Sequence, residues 1–271
     1  MDYEKYIEVD DVNTHYHETG QGETVLLIHG SGPGVTAWAN WRLMIPKLSE
    51  NFHILAPDMV GFGYTDRPEN VEYNVETWTN HLIRFIEKTV DKPVHIIGNS
   101  LGGALALHII KKRPDIAKKV VLMGAAGLSF PITYGLDQVW GYEPSIENMK
   151  KLLGIFAYDQ KFATDDLAKL RYEASVQPGM HESYSQMFTE PRQQKLDEIG
   201  LSEEEVRKIQ HHTLLVHGRE DLVIPYKETS LKLFELMANA ELHVFPNCGH
   251  WTQIEKTEEF TQLCENFFAR K

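Results

Sequence analysis

Among the 271 residues nowhere do about eighteen apolar residues run together, so no membrane span is expected. The opening Met1-Asp2-Tyr3-Glu4-Lys5 lacks the apolar stretch of a secretion signal, and a cytoplasmic location is expected. Cysteine is scarce: Cys248 and Cys264 are the only two, and both read as free thiols. Lys and Arg, 27 against 39 acidic residues, form no basic run, and the formal charge of −12 excludes nucleic acid as an expected partner. Cys-x-x-Cys and His-Glu-x-x-His are both missing, and neither His15/His17 nor His211/His212 has a matching set of acids or thiols nearby in sequence. No metal and no cofactor are therefore expected, and neither internal repeats nor low-complexity segments occur.

What is present is the composition of a folding chain, 42% hydrophobic and 24% charged. Tyr6 to Tyr16 reads as an antiparallel pair, and Thr24 to Ile28 as a buried strand ahead of a glycine-rich loop. Further buried strands are predicted at His53–Ala56, Val94–Ile97, Val120–Met123, Thr213–Val216 and Glu241–Val244, with helical patterns between several of them. Such alternation implies an α/β fold with a mostly parallel sheet covered by helices on both faces. Between Met123 and Thr213 the rhythm breaks into helical patterns rich in rings, including Trp140, Tyr142, Phe156, Tyr158, Tyr184 and Phe188. The expectation is a core of residues 1–128 and 209–271 and a helical lid of residues 129–208, its aromatics covering a pocket.

The segment Val94-His95-Ile96-Ile97-Gly98-Asn99-Ser100-Leu101-Gly102-Gly103 runs from strand into Gly-x-Ser-x-Gly and on to a strong helix former. In that setting the turn is tight enough to need Gly98 and Gly102, and it presents the Ser100 hydroxyl at a helix start as a candidate nucleophile. A serine needs a base to take its proton. His250, in Pro246-Asn247-Cys248-Gly249-His250-Trp251 after the last strand, is the candidate among thirteen histidines. A carboxylate must then fix the imidazole tautomer. Asp221 follows the strand Leu214–Val216 and precedes Leu222-Val223-Ile224-Pro225, while its neighbour Glu220 reads as a solvated side chain. The order Ser, Asp, His is that of α/β-hydrolases. For the oxyanion hole, one amide is that of Leu101 and the second comes from His29-Gly30-Ser31-Gly32-Pro33-Gly34, with Ser31 or Gly32 as donor.

Taken together, His29 to Trp41, Gly98 to Gly103, Met123-Gly124-Ala125-Ala126-Gly127 and Cys248-Gly249-His250-Trp251 resemble the meta-cleavage product hydrolases, carbon–carbon bond hydrolases of bacterial aromatic degradation. Val139 to Met149 and Arg171 to Gly179 are similar to the branch of that family acting on monocyclic compounds. The resemblance implies cleavage of 2-hydroxymuconate semialdehyde and small alkyl-ketone analogues to 2-hydroxypenta-2,4-dienoate and a carboxylic acid. The small-molecule dienoate is the expected partner, and a homo-oligomer is compatible with the sequence. An anion with a planar apolar body calls for polar anchors at one end and apolar walls elsewhere. Asn40, Asn99, Arg171 and Trp251 are the expected substrate contacts, with Gln177 competing with Arg171 for the position of a family arginine. A carboxylesterase or lactonase would use the same triad, and a noncatalytic ligand-binding receptor would keep it without turnover.

Overall fold

The computed structural model describes residues 3–270. Its eight strands are β1 (Glu4–Val9), β2 (Val12–Thr19), β3 (Thr24–Ile28), β4 (His53–Pro57), β5 (Val94–Asn99), β6 (Ala117–Met123), β7 (His212–Gly218) and β8 (Ala240–Phe245). They form one sheet in the order β1-β2-β4-β3-β5-β6-β7-β8. β1 and β2 are an antiparallel hairpin whose two-residue turn uses the positive φ of Asp10 and Asp11, 47° and 64°. β2 also lies antiparallel to β4, and every other pairing is parallel.

Alternate residues of one strand point to opposite faces, so the apolar run of β3 serves two cores. Leu26 and Ile28 join Phe85 of the helix Val75–Thr89 and Leu105 and Ile109 of the helix Leu101–Lys112 on one face. Val25 and Leu27 meet Trp41, Phe260 and Phe267 on the other. The parallel strands therefore end on the same side, where the loops after β3, β5, β7 and β8 converge.

Between β6 and β7 the described residues contain helices and no strand. Four of these helices, Tyr134–Trp140, Ile146–Phe156, Asp165–Ser175 and Glu203–Arg207, begin at Thr133, Ser145, Thr164 and Ser202, whose hydroxyls accept an amide of the first turn. The insertion is tied to the core by polar contacts. Trp140 Nε1 donates to Ser31 Oγ at 3.0 Å, Thr133 Oγ1 to the Val223 carbonyl at 2.7 Å, and Arg67 Nε to the Gly179 carbonyl at 3.1 Å. No helix among the described residues is long and apolar enough to cross a membrane.

Candidate active site

Ser100 is the N-cap of the helix Leu101–Lys112 and has φ 53° and ψ −115°, a conformation that a side-chain-bearing residue adopts only under constraint. The constraint is visible at the flanking glycines. A Cβ on Gly98 would lie 2.4 Å from the Gly102 carbonyl oxygen, and one on Gly102 would lie 2.3 Å from that of Ile28. The turn thus packs backbone against backbone, leaving the serine side chain as its projecting group.

Ser100 and His250 line one cavity of about 140 Å³, together with Gly30, Ser31, Gly32, Asn40 and Asn99. Behind His250, Asp221 is buried, and its Oδ2 lies 2.7 Å from His250 Nδ1. Burial alone would raise the Asp221 pKa, but the charge of His250 and hydrogen bonds from His217 and His250 hold it well below the usual carboxylate range. An ionised Asp221 only accepts, so His250 Nδ1 carries the hydrogen and Nε2 keeps its lone pair.

The loop of His250 is held from the insertion: the amides of His250 and Trp251 donate to the Phe156 carbonyl at 2.7 and 3.2 Å. The amide of Gly249 donates to Glu255 Oε2 at 2.8 Å. Glu220 corrects the expectation of a solvated side chain. It is half-buried and accepts the Cys248 amide at 3.1 Å, so it braces the histidine loop without touching His250.

Near the nucleophile, a Cβ on Gly30 would lie 2.8 Å from Asn99 Oδ1 and 3.2 Å from Ser100 Cβ, which puts the glycine-rich loop beside the serine. The Gly30 amide is directed to Asn40 Oδ1 at 3.4 Å. No hydrogen bond among the described residues takes up the amides of Ser31, Gly32 or Leu101. Ser31 uses its hydroxyl to accept Trp140 and its carbonyl to accept Tyr184 Oη at 3.3 Å.

The remaining expected contacts separate. Asn40 and Asn99 are buried; Asn40 Nδ2 has no partner among the described residues, and Asn99 Nδ2 makes a long contact of 3.4 Å to the Met123 carbonyl. Arg171 lines the cavity, whereas Gln177, just past the end of the helix Asp165–Ser175, is exposed and donates to the Glu173 carbonyl of that helix. Arg171 forms no ion pair among the described residues; its one hydrogen bond is from Nη2 to the Pro33 carbonyl at 3.4 Å. Burial and the nearby charge of Arg42 lower its pKa, to about 10, which leaves it cationic at neutral pH. Trp251 also lines the cavity and stacks on Phe156, centroids 5.0 Å apart and planes at 11°.

Sequence reading missed three features. Arg42 is a second guanidinium at the cavity, with only its spacing from Asn40 as a signal. His217, four residues before Asp221, places Nε2 3.1 Å from the same Oδ2. Glu255 left no signal, because two of its three amide partners, Tyr158 and Asp159, come from a loop of the insertion far away in sequence. The expected aromatic cover also needs correction, since only Phe156 of the named rings lines the cavity, joined by Phe162. Trp140 and Phe188 stack on each other at 4.6 Å behind it, and Tyr158 is exposed. Outside the cavity the hairpin brings Glu4, distant in sequence, within 4.8 Å of ligand atoms of His15 and His17.

A strand-borne serine elbow, a histidine on the last strand's loop and a mostly parallel sheet define an α/β-hydrolase, and the family model described as alpha/beta hydrolase fold matches residues 23–257. The 2-hydroxymuconate semialdehyde hydrolase of Pseudomonas sp. (strain CF600) is 48% identical over 258 residues, 95% of this chain and 91% of that protein. The 2-hydroxy-6-oxo-2,4-heptadienoate hydrolase of a Pseudomonas putida strain is 49% identical over 258 residues, covering 95% and 93%. Among solved structures, a mutant meta-cleavage product hydrolase from Pseudomonas fluorescens IP01 complexed with acetates superposes with a TM-score of 0.96 at 53% identity, covering 97% of both chains. The chain belongs to the meta-cleavage product hydrolases of the α/β-hydrolase fold.

Proposed function

We propose that this enzyme hydrolyses the C5–C6 bond of 2-hydroxy-6-oxohexa-2,4-dienoate (2-hydroxymuconate semialdehyde) and its small alkyl-ketone analogues, in the catabolism of aromatic compounds. The observation that carries the reading is the convergence of Ser100 and His250 on one cavity, with His250 Nδ1 on the buried Asp221. Relatives at about half identity along nearly the whole chain bear the names of hydrolases for such substrates.

The geometry supports the following roles. Moving the proton of the substrate's 2-hydroxyl to C5 gives a 2,6-dioxo form in which C5 is a good carbanion leaving group. His250 Nε2, free to accept, takes the Ser100 proton as Oγ adds to C6, and Asp221 stabilises the resulting imidazolium. Negative charge on the C6 oxygen falls to the open amides of Leu101 and of Ser31 or Gly32. Breaking C5–C6 sends the electron pair through the conjugated chain to the C2 oxygen, which takes a proton to become 2-hydroxypenta-2,4-dienoate. Water then hydrolyses the acyl group on Ser100, releasing formate from the aldehyde or acetate from the methyl ketone.

Arg42 and Arg171 suit the substrate carboxylate and Asn40 and Asn99 its oxygens, with Trp251 as a wall. We assign residues 129–208 as the lid, supported by its Leu136, Val139, Phe156 and Arg171 at the cavity. Buried, unpaired Cys248 and Cys264 fit a reducing compartment, and on that ground the cytoplasm is assigned.

Decay of the yellow ring-cleavage product tests the assignment. Ser100→Ala is expected to lose roughly 10³-fold or more in turnover, and Asp221→Asn to be nearly as severe, while Glu220→Gln, whose amide oxygen still accepts the Cys248 N–H, stays mild. Normal turnover by folded Ser100→Ala protein would reject the nucleophile, and hydrolysis of simple esters without the ring-cleavage product would favour an esterase.

A further inference from the structure

Buried polar side chains are nearly always hydrogen-bonded, so an exception needs a reason. His17 is only 3% exposed, yet neither of its ring nitrogens has a hydrogen-bond partner among the described residues. It lies on β2, two residues from His15 and on the same face, and the hairpin register sets Glu4 of β1 directly opposite it. One ligand atom from each of Glu4, His15 and His17 lies within 4.8 Å of the others. The two rings stand edge to face, centroids 5.0 Å apart.

His15 is already oriented. Its Nδ1 lies 2.8 Å from Asp58 Oδ2, and Asp58 also accepts the amides of Ala37 and Tyr64 at 2.6 and 2.9 Å. A carboxylate so engaged fixes Nδ1 as the donor and leaves the Nε2 lone pair free, the carboxylate–histidine arrangement that supports metal ligands.

We propose that Glu4, His15 and His17 form a site for a divalent first-row ion of the zinc class, apart from the catalytic cavity. Two imidazoles and one carboxylate match that ion, while magnesium and calcium need oxygen-rich cages. Donors around tetrahedral zinc stand about 3.3 Å apart, so the three must draw together slightly. Glu4 is exposed and free to swing in, whereas the histidines are held by Tyr6, Tyr64 and Trp38, whose rings pack at 5.0, 5.2 and 5.3 Å. A solvent ligand completes the shell on the Glu4 side. None of the three residues lines the catalytic cavity, so the ion's effect is to pin the edge strand β1 to β2.

The test uses the full chain, stripped with chelator and titrated with Zn²⁺ by calorimetry and with Co²⁺ followed by visible absorption. One equivalent should bind, Co²⁺ should give a ligand-field band, and Zn²⁺ should raise the melting temperature. Glu4→Gln, at an exposed position that leaves folding intact, should weaken Zn²⁺ binding by about 10-fold or more and cancel the thermal shift. His17→Gln should abolish stoichiometric binding while turnover of the ring-cleavage product stays at the wild-type level. No stoichiometric binding, or equal affinity in both variants, as expected if other histidines such as His212 collect the ion, overturns the proposal.

Discussion

Asp221 takes two imidazoles on one oxygen: His250 Nδ1 at 2.7 Å and His217 Nε2 at 3.1 Å both meet Oδ2, while Oδ1 accepts the amides of Val223 and Ile224 at 2.7 and 2.9 Å. His217 is fully buried; Ser230 Oγ lies 2.7 Å from its Nδ1, and its Nε2 is shared between Asp221 and the Ile224 carbonyl at 2.9 Å, so the ring is fixed at both nitrogens. The second imidazole therefore shares negative charge that the base would otherwise have to itself. Removing it takes away one of the hydrogen bonds that hold the Asp221 carboxyl below its usual range. In His217→Leu kcat is expected to fall by about 10-fold as a charge-assisted hydrogen bond to Asp221 is lost. His217→Gln, which restores a donor, should recover part of that loss; a His217→Leu enzyme with wild-type kcat would detach His217 from the dyad. The three proposed triad residues were legible because each sits in a loop at a strand end, where a short motif marks it. His217 was not, because its role depends on a ring inside β7 turning toward a carboxylate four residues on. Arg42 was hidden for a similar reason, since only the packing of the loop after β3 shows that this guanidinium faces the cavity.

Secondary elements carry the strain that the residues exploit. The turn from β5 into the helix Leu101–Lys112 is pressed against the end of β3, and a Cβ at Gly102 would stand 2.3 Å from the Ile28 carbonyl oxygen and 2.5 Å from that of His29. Both clashes are with backbone, so relief requires moving β3 or the helix. Gly102→Ala is accordingly expected to cost about 1–3 kcal/mol of stability and to reduce turnover by displacing Ser100 and the glycine-rich loop together. Denaturant unfolding and activity measured on the same preparation check this, and an alanine variant with unchanged midpoint and rate would show the packing to be looser than described. Strand centres were readable as apolar runs because β3, β5, β6 and β7 are covered on both faces. Their ends were less so: β6 begins at Ala117 and continues through Lys118 and Lys119, whose charged ends reach the surface, so polarity hid backbone pairing. The rings between β6 and β7 signalled an apolar layer but not which of its faces met the cavity. Trp140, Tyr184 and Phe188 pack into the core that joins the insertion to the sheet, whereas the smaller Leu136 and Val139 meet the cavity.

At the scale of the whole molecule, specificity is decided where the two layers meet, because the cavity is closed by Leu136, Val139, Phe156, Phe162 and Leu167 of the insertion against Val223, Trp251 and Ile254 of the core. Among the described residues Arg42 and Arg171 are the only Arg or Lys side chains along the lining, a placement that suits the carboxylate end of a dienoate and leaves the aliphatic and aromatic walls for its acyl end. The Phe156 ring is stacked on Trp251, and its carbonyl holds the amides of His250 and Trp251, so that wall cannot retreat without moving the proposed base. A bulky acyl substituent must therefore be accommodated by Phe162 and the aliphatic side chains. Rates should fall from the aldehyde and methyl ketone to the phenyl ketone derived from biphenyl, by the roughly 10- to 200-fold that about 1–3 kcal/mol of pocket discrimination supplies. Measuring kcat/KM for the three substrates under one set of conditions decides the matter. Equal or better turnover of the phenyl ketone would show that the walls yield, and would leave the proposed triad, which touches only the reacting carbonyl, unaffected.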